Sequence, residues 1–249
     1  MTHSTINAFH LGDNLLHLHF LRKLAAAHPE DHFIHAAQEG HLWQLCDLVA
    51  DVPNLSLIAM KDAAPGCINA WRGGGGWFYR HPARNDFVRV HLDWFALLAK
   101  RMGYESPIKC AADMLFDYPA LKVTWDAPQD CVLVVNSRPL SGQWTGFSSD
   151  LFDQIVSQLR SAGHHVITTN PAPDGRSVTN IGQISQHCRA IVGVATGPIW
   201  PTFNAWNRTS VQLRLLLNDS EVVNIEPATT VHAHSLHEVP QILREHAIL

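Results

Sequence analysis

The sequence is poor in charge, and several familiar patterns are missing from it. Asp, Glu, Lys and Arg make up only 16 % of its 249 residues, and the formal net charge is -4. No run of Lys and Arg occurs, which excludes the clustered basic surface that broad nucleic-acid binding needs. Five cysteines (Cys46, Cys67, Cys110, Cys131 and Cys188) are scattered with no close pair. Such an odd, unpatterned set reads as reduced thiols of a cytosolic protein. No apolar run approaches the ~20 residues required to cross a bilayer. Asp13 and several histidines interrupt the single early apolar stretch, so no signal peptide is expected and a cytoplasmic location is. A complete Gly-x-Gly-x-x-Gly or Walker loop is also missing, as is an Asp-x-Asp pair.

Hydrophobic residues, at 46 %, are plentiful enough for one large or two small globular domains. Apolar runs and helical stripes alternate along the whole chain. Strands are expected at 6–11, 32–36, 55–60, 131–135, 165–169, 190–194 and 221–225. Helices are expected at 15–24, 42–49, 151–159, 181–188 and 240–247, with Pro240 in the first turn of the last. Phe87, His91, Trp94, Phe95, Leu98 and Met102 share one helical face, which Gly103 terminates; Gly163 closes the helix at 151–159. Residues 117–130 hold Pro119 and Pro128 without a sustained period and read as a linker. Strands alternating with helices on both sides of it predict an α/β protein of two Rossmann-like domains, 1–125 and 126–249, whose parallel sheets face a central cleft.

Seventeen histidines invite a metal reading. His17 and His19 are two apart, so on a helix they point in different directions. His232, His234 and His237 sit in an expected loop without carboxylate or cysteine ligands at a familiar spacing. Incidental surface or core histidines fit these spacings better, and no metal site is assigned.

Four segments carry polar groups to expected strand ends. His10 stands near the end of the first strand and Gly12-Asp13 follow it, where Asp13 is either a helix cap or a general base that takes a proton from an acceptor hydroxyl. Asn136, Ser137, Arg138, Pro139, Leu140, Ser141, Gly142 and Gln143 follow the strand at 131–135. The planar fork of Arg138 suits a diphosphate, although a plain surface loop would read the same way. Thr196, Gly197 and Pro198 turn the strand at 190–194 into an expected helix whose N-terminus favours an anion, or form an ordinary strand–helix turn. Trp71, Arg72 and Trp77 flank four glycines, Gly73 to Gly76, in an expected mobile loop. Its aromatic faces could stack on a sugar or base, or dock on the core.

His10-Leu11-Gly12-Asp13-Asn14-Leu15-Leu16 and the segment 184–206, with its Thr196-Gly197 turn, resemble the early Gly-Asp turn and the late Thr-Gly turn of the ADP-heptose:lipopolysaccharide heptosyltransferases (glycosyltransferase family 9). The layout resembles the GT-B fold over most of the chain; the motif match covers these two stretches. The resemblance implies transfer of a sugar from a nucleotide-diphosphate donor to a glycan or other hydroxyl acceptor, without a cofactor or metal. It implies Asp13 as the base and Ser137, Arg138, Gln143, Thr196, Gly197 and Pro198 at the donor. On the acceptor side stand His10, Gly12, Trp71, Arg72 and Trp77. Two positions depart from the family: Ala195 stands where an acidic residue is common just before the turn, and Trp200 where a histidine is common just after it. A non-catalytic nucleotide-sugar or glycan-binding protein on the same fold is the alternative.

Overall fold

The structure is a computed structural model of the chain, describing residues 1–122, 130–140, 144–170, 177–219 and 221–249. The chain forms two compact units, Met1–Ala120 and Leu121–Leu249. In the first, β1 (Thr2–Asn7), α1 (Leu11–Ala27), β2 (His32–Ala37), α2 (Glu39–Leu45), β3 (Leu55–Ala59) and β4 (Ile68–Asn69) are followed by α3 (Trp77–Arg80) and α4 (Phe87–Arg101). Its four strands are parallel in the order β3-β2-β1-β4. In the second, β5 (Cys131–Val135), α5 (Ser149–Ser161), β6 (Val166–Thr168), α6 (Val178–Ser185), β7 (Cys188–Val194), β8 (Leu213–Leu217) and β9 (Thr230–Ala233) precede α7 (Val239–Glu245). These strands are parallel in the order β6-β5-β7-β8-β9. Each unit is therefore a Rossmann-like α/β layer. Among the described residues, no helix is long and apolar enough to cross a membrane.

Both sheets reverse direction of strand order beside their first strand: between β1 and β4, and between β5 and β7. In open parallel sheets a crevice opens outside the carboxyl ends at that switch point. The loops after β1 and β4, and those after β5 and β7, therefore lie side by side. The described residues of all four polar segments singled out above are at these two places.

Local chemistry accounts for the elements. The face Phe87, His91, Trp94, Phe95, Leu98 and Met102 is buried, and the Phe95 ring stacks on Phe20 of α1 at 5.1 Å and 2°. Asp86 caps α4 by accepting from Arg89 N at 2.9 Å, and Gly103 leaves it at φ +86°. Ser148 and Ser177 cap α5 and α6 in the same way. Strand β5, apolar on both faces, is fully buried in the middle of its sheet.

The structure corrects several expectations. Strand β1 lies four residues earlier than 6–11, because its register with β2, from Thr2↔His32 to Asn7↔Ala37, ends at Asn7. Gly12 is consequently inside α1 and buried, not in the turn. Residues 221–225 form no strand; the sheet continues past β7 with β8, and β9 is its edge. His232 thus belongs to a strand, not a loop. The expected linker begins as packed chain: Tyr118 is fully buried under the Arg22 guanidinium, 4.7 Å from its ring, and Asp117 pairs with Lys23 at 2.8 Å. The rest of it, 123–129, lies outside the described residues, as do Ser141, Gly142 and Gln143. The Gly73–Gly76 stretch is a folded turn: a Cβ on Gly73 would lie 2.3 Å from the Trp71 ring, and Gly75 and Gly76 take φ of +61° and +71°.

Candidate active site

In the first unit, Asn7 ends β1 and accepts from Phe9 N at 3.0 Å, bending the chain into α1. His10 is the exposed N-cap and makes no side-chain cap bond. Asp13 is the third residue of the helix, where a carboxylate is favoured by the unpaired N–H groups of the first turn. Beyond β4, Trp71 N donates to Asn69 Oδ1 at 2.9 Å, and the Trp71 ring stacks on Phe9 at 3.6 Å and 18°. Arg72 turns inward. Its guanidinium lies 4.2 Å over the Phe78 ring, and its Nε is 3.9 Å from Asp13 Oδ1. The fold thus brings together Asp13 and Arg72, which are 59 positions apart in sequence. Trp77 packs 4.7 Å from His81 and 4.9 Å from Trp94, whose Nε1 donates to Ala70 O at 3.0 Å.

Beside this ion pair lies a pocket of about 10 Å³ lined by Asp13, His17, Arg72, His91 and Trp94, among others. His17 and His91 were not singled out as site residues. Both are 2 % exposed. Burial, together with the neighbouring His35, holds His17 well below its ordinary pKa; burial and the nearby Arg72 charge do the same to His91. The signal available in the sequence was that His17 stands four residues after Asp13, on the same face of one helix.

In the second unit, β5 delivers Asn136, Ser137 and Arg138 to the switch point. Asn136 Oδ1 accepts from Asn170 N at 2.8 Å and Thr169 N at 3.2 Å, clamping the ends of β5 and β6. Ser137 donates to Thr169 Oγ1 at 2.9 Å. Arg138 is exposed and forms no ion pair among the described residues. After β7, Thr196 is buried and Gly197 and Pro198 are half-buried. The helix expected there is six residues of 3₁₀ turn, Gly197–Thr202. Pro201 within it offers no N–H and would clash in a longer α-helix. No sizeable helix dipole is available at Thr196-Gly197.

That turn is anchored from beneath. Gly182 of α6 approaches Pro201 so closely that a Cβ would sit 3.1 Å from its backbone oxygen. Arg214 on β8, 1 % exposed, donates to Thr202 O at 2.9 Å and Asn207 Oδ1 at 2.9 Å, and pairs with Glu226 at 2.8 Å. Replacing one member of a buried pair leaves the other uncompensated. Arg214→Met is therefore expected to cost ~3–5 kcal/mol, read as a lower urea midpoint for the second unit.

Among the described residues, one group of three potential metal ligands lies close together: His28, Glu30 and Asp31. Asp31 already accepts from the Tyr104 hydroxyl at 2.5 Å and pairs with the Met1 ammonium group.

No protein-family profile and no curated protein matches the sequence. Solved structures do. Heptosyltransferase WaaC from E. coli, with ADP-2-deoxy-2-fluoro heptose, aligns with a TM-score of 0.60 at 13 % identity, over 98 % of this chain and 99 % of that one. E. coli ADP-heptose lps heptosyltransferase II aligns at 0.55 and 14 %, over 98 % and 97 %. A glycosyl transferase family 9 protein from Veillonella parvula aligns at 0.52 and 12 %, over 99 % and 93 %. At such identities the likeness is one of fold: two parallel α/β units built as in those GT-B proteins.

Proposed function

We propose that this protein is a glycosyltransferase that moves a sugar from a nucleotide-diphosphate donor to a hydroxyl acceptor without a metal ion. The observation that carries the reading is the placement of complementary chemistry at the two switch points. One holds a carboxylate beside a pocket of hydrogen-bonding side chains, and the other an exposed guanidinium beside a clamped turn. The GT-B likeness supports it, and the sugar nucleotide bound to WaaC puts ADP first among nucleotides to test.

In this account the unit Leu121–Leu249 holds the donor through Ser137, Arg138, Gln143, Thr196, Gly197 and Pro198. The unit Met1–Ala120 holds the acceptor near His10, Gly12, Trp71, Arg72 and Trp77. Asp13 takes the proton of the acceptor hydroxyl as its oxygen bonds to the anomeric carbon. The bond from that carbon to the diphosphate breaks, and Arg138 stabilises the negative charge that develops on the leaving oxygen. A guanidinium fork serves two phosphate oxygens without a divalent ion. Activity is accordingly expected to survive EDTA.

Arg138→Ala removes a charge-assisted hydrogen bond worth ~1.5–3 kcal/mol. Nucleoside diphosphates should then bind roughly 10- to 100-fold more weakly by calorimetry, with little effect on stability because the side chain is exposed. An unchanged affinity would remove Arg138 from the donor site.

A second reading, a nucleotide-sugar or glycan-binding protein without turnover, is favoured by Ala195 and Trp200. Both are buried apolar residues, 4 % and 5 % exposed, where an acid and a histidine are common in the family the chain resembles.

A further inference from the structure

The pocket beside Asp13 is backed by a buried chain of hydrogen bonds whose direction can be worked out link by link. Asn14 Nδ2 donates to Phe9 O at 3.3 Å and His10 O at 3.0 Å. Both partners are carbonyls, so the nitrogen must face them and Oδ1 must face His35. His35 Nε2, 2.9 Å away, therefore carries a proton and donates. Burial pushes the His35 pKa down to about 3, so the ring is neutral and its Nδ1 is an acceptor. Thr5 Oγ1 lies 3.1 Å from that nitrogen and 3.3 Å from Ile34 O; its single hydrogen goes to the nearer nitrogen, which would otherwise face the hydroxyl's lone pairs. The hydroxyl oxygen can then only accept from His17 Nε2, at 3.1 Å. Reversing any link sets two lone pairs, or two protons, against each other inside the core, at the cost of a buried unmade bond.

The consequence falls on His17. With its proton fixed on Nε2, the neutral ring carries a lone pair on Nδ1. That atom is buried and has no hydrogen-bond partner among the described residues, and His17 lines the pocket. His91 also lines the pocket; its Nδ1 donates to Phe87 O at 2.7 Å, so in the neutral ring Nε2 is unprotonated as well. Asp13 adds carboxylate oxygens, and the guanidinium of Arg72 supplies donors. About 10 Å³ is room for about one water-sized group.

We propose that this pocket is a built subsite for a single O–H group, from a water molecule or from the hydroxyl of a polyol substrate, with His17 Nδ1 as its fixed hydrogen-bond acceptor. An O–H group brings the donor that His17 Nδ1 needs. Thr5, His35 and Asn14 are positioning residues: they hold the tautomer and touch no ligand. For the substrate source the proposal rests on the glycosyl-transfer reading.

The test is a long-range proton–nitrogen NMR correlation on the full chain with ¹⁵N-labelled histidine at neutral pH, in buffer alone and with glycerol as a polyol probe. The expected spectrum shows His17 as the Nε2–H tautomer, with Nδ1 displaced from the bare imine position towards that of a hydrogen-bonded nitrogen. Displacement in buffer alone assigns the subsite to water; displacement that appears only with glycerol assigns it to a substrate hydroxyl. A proton on Nδ1, or a bare imine signal in both samples, overturns the proposal. Thr5→Val should convert His17 to mixed tautomers and Thr5→Ser should restore one; a folded Thr5→Val protein with an unchanged His17 tautomer removes the positioning role. If Thr5→Val does not fold, the unmutated protein's spectrum still decides. The readout needs neither donor nor turnover. An inactive protein with a displaced Nδ1 keeps the subsite and loses the transferase reading, and an active one with a bare Nδ1 does the reverse.

Discussion

Between pH 7 and pH 5 the unit Met1–Ala120 is expected to lose much of its stability while the unit Leu121–Leu249 loses less. The cause is a set of fully buried neutral histidines in the first unit. Burial lowers His35 to about 3 and His19 to about 4, against 6.5 in an unfolded chain. His17 and His91 shift in the same direction. For a depressed histidine the unfolded chain binds the proton first. Stability is thus intact above 6.5 and declines as pH falls from there towards the folded pKa. At pH 5 that is roughly 1.5 units, or ~2 kcal/mol for each of His35 and His19. Together, ~4 kcal/mol is a large share of the ~5–15 kcal/mol that holds a typical domain. Around His19, Lys23 and Arg22 oppose protonation and Asp117 favours it, but burial dominates. The lowered carboxylates Asp31, Asp51, Asp113 and Asp117 respond below 3.8, outside this window. Hydrogen exchange resolved by unit checks the result: earlier opening of 1–120 at pH 5 is expected, and equal protection at both pH values would contradict it.

Asp13→Asn is expected to lower turnover by ~10²–10⁴-fold while leaving donor affinity unchanged, the range that a positioned general base contributes. The amide keeps the shape of the carboxylate and its place in the first turn of α1, but it cannot take a proton at neutral pH. Asp13 is one-fifth exposed and lies 3.9 Å from Arg72 Nε, so losing the charge changes stability little compared with loss of turnover. Steady-state kinetics with a donor identified by binding provides the measurement. A drop in kcat at constant donor affinity supports the base; wild-type kcat in the variant removes Asp13 from the chemistry. A protein without measurable turnover before mutation supports the binding-protein reading instead.

How far the sequence revealed this architecture depended on whether a signal was local. The apolar run of β5 and the stripe of α4 with its Gly103 stop were legible, because each follows from periodicity and a single backbone demand. Strand β1 was displaced, because its end is set by pairing with β2, 30 residues away. Strand β8 was missed; Arg214 near its start reads as surface, and partners elsewhere in the chain, Glu226, Thr229, Thr202 and Asn207, make its burial tolerable. Strand β4 is two residues long, below what a pattern can register. At the site, Asp13, Arg72, Arg138 and Thr196 stood out as polar groups next to glycine turns or strand ends. The fold places all four at switch points. The buried chain from Asn14 to His17 was invisible, because hydrogen-bond direction between His17, Thr5 and His35 arises only when α1, β1 and β2 are packed together. The 3₁₀ form of Gly197–Thr202 was missed although Pro201 announced it.

Thermal unfolding of the full chain across a panel of nucleoside diphosphates and nucleotide sugars tests whether the second unit holds a nucleotide diphosphate. A ligand at ~100 times its Kd adds about 2.7 kcal/mol, a shift of several degrees for a domain of this size. The account predicts such a shift with the diphosphates and sugars of one nucleoside, reduced in Arg138→Ala. No shift with any member of the panel at saturating concentration would contradict it.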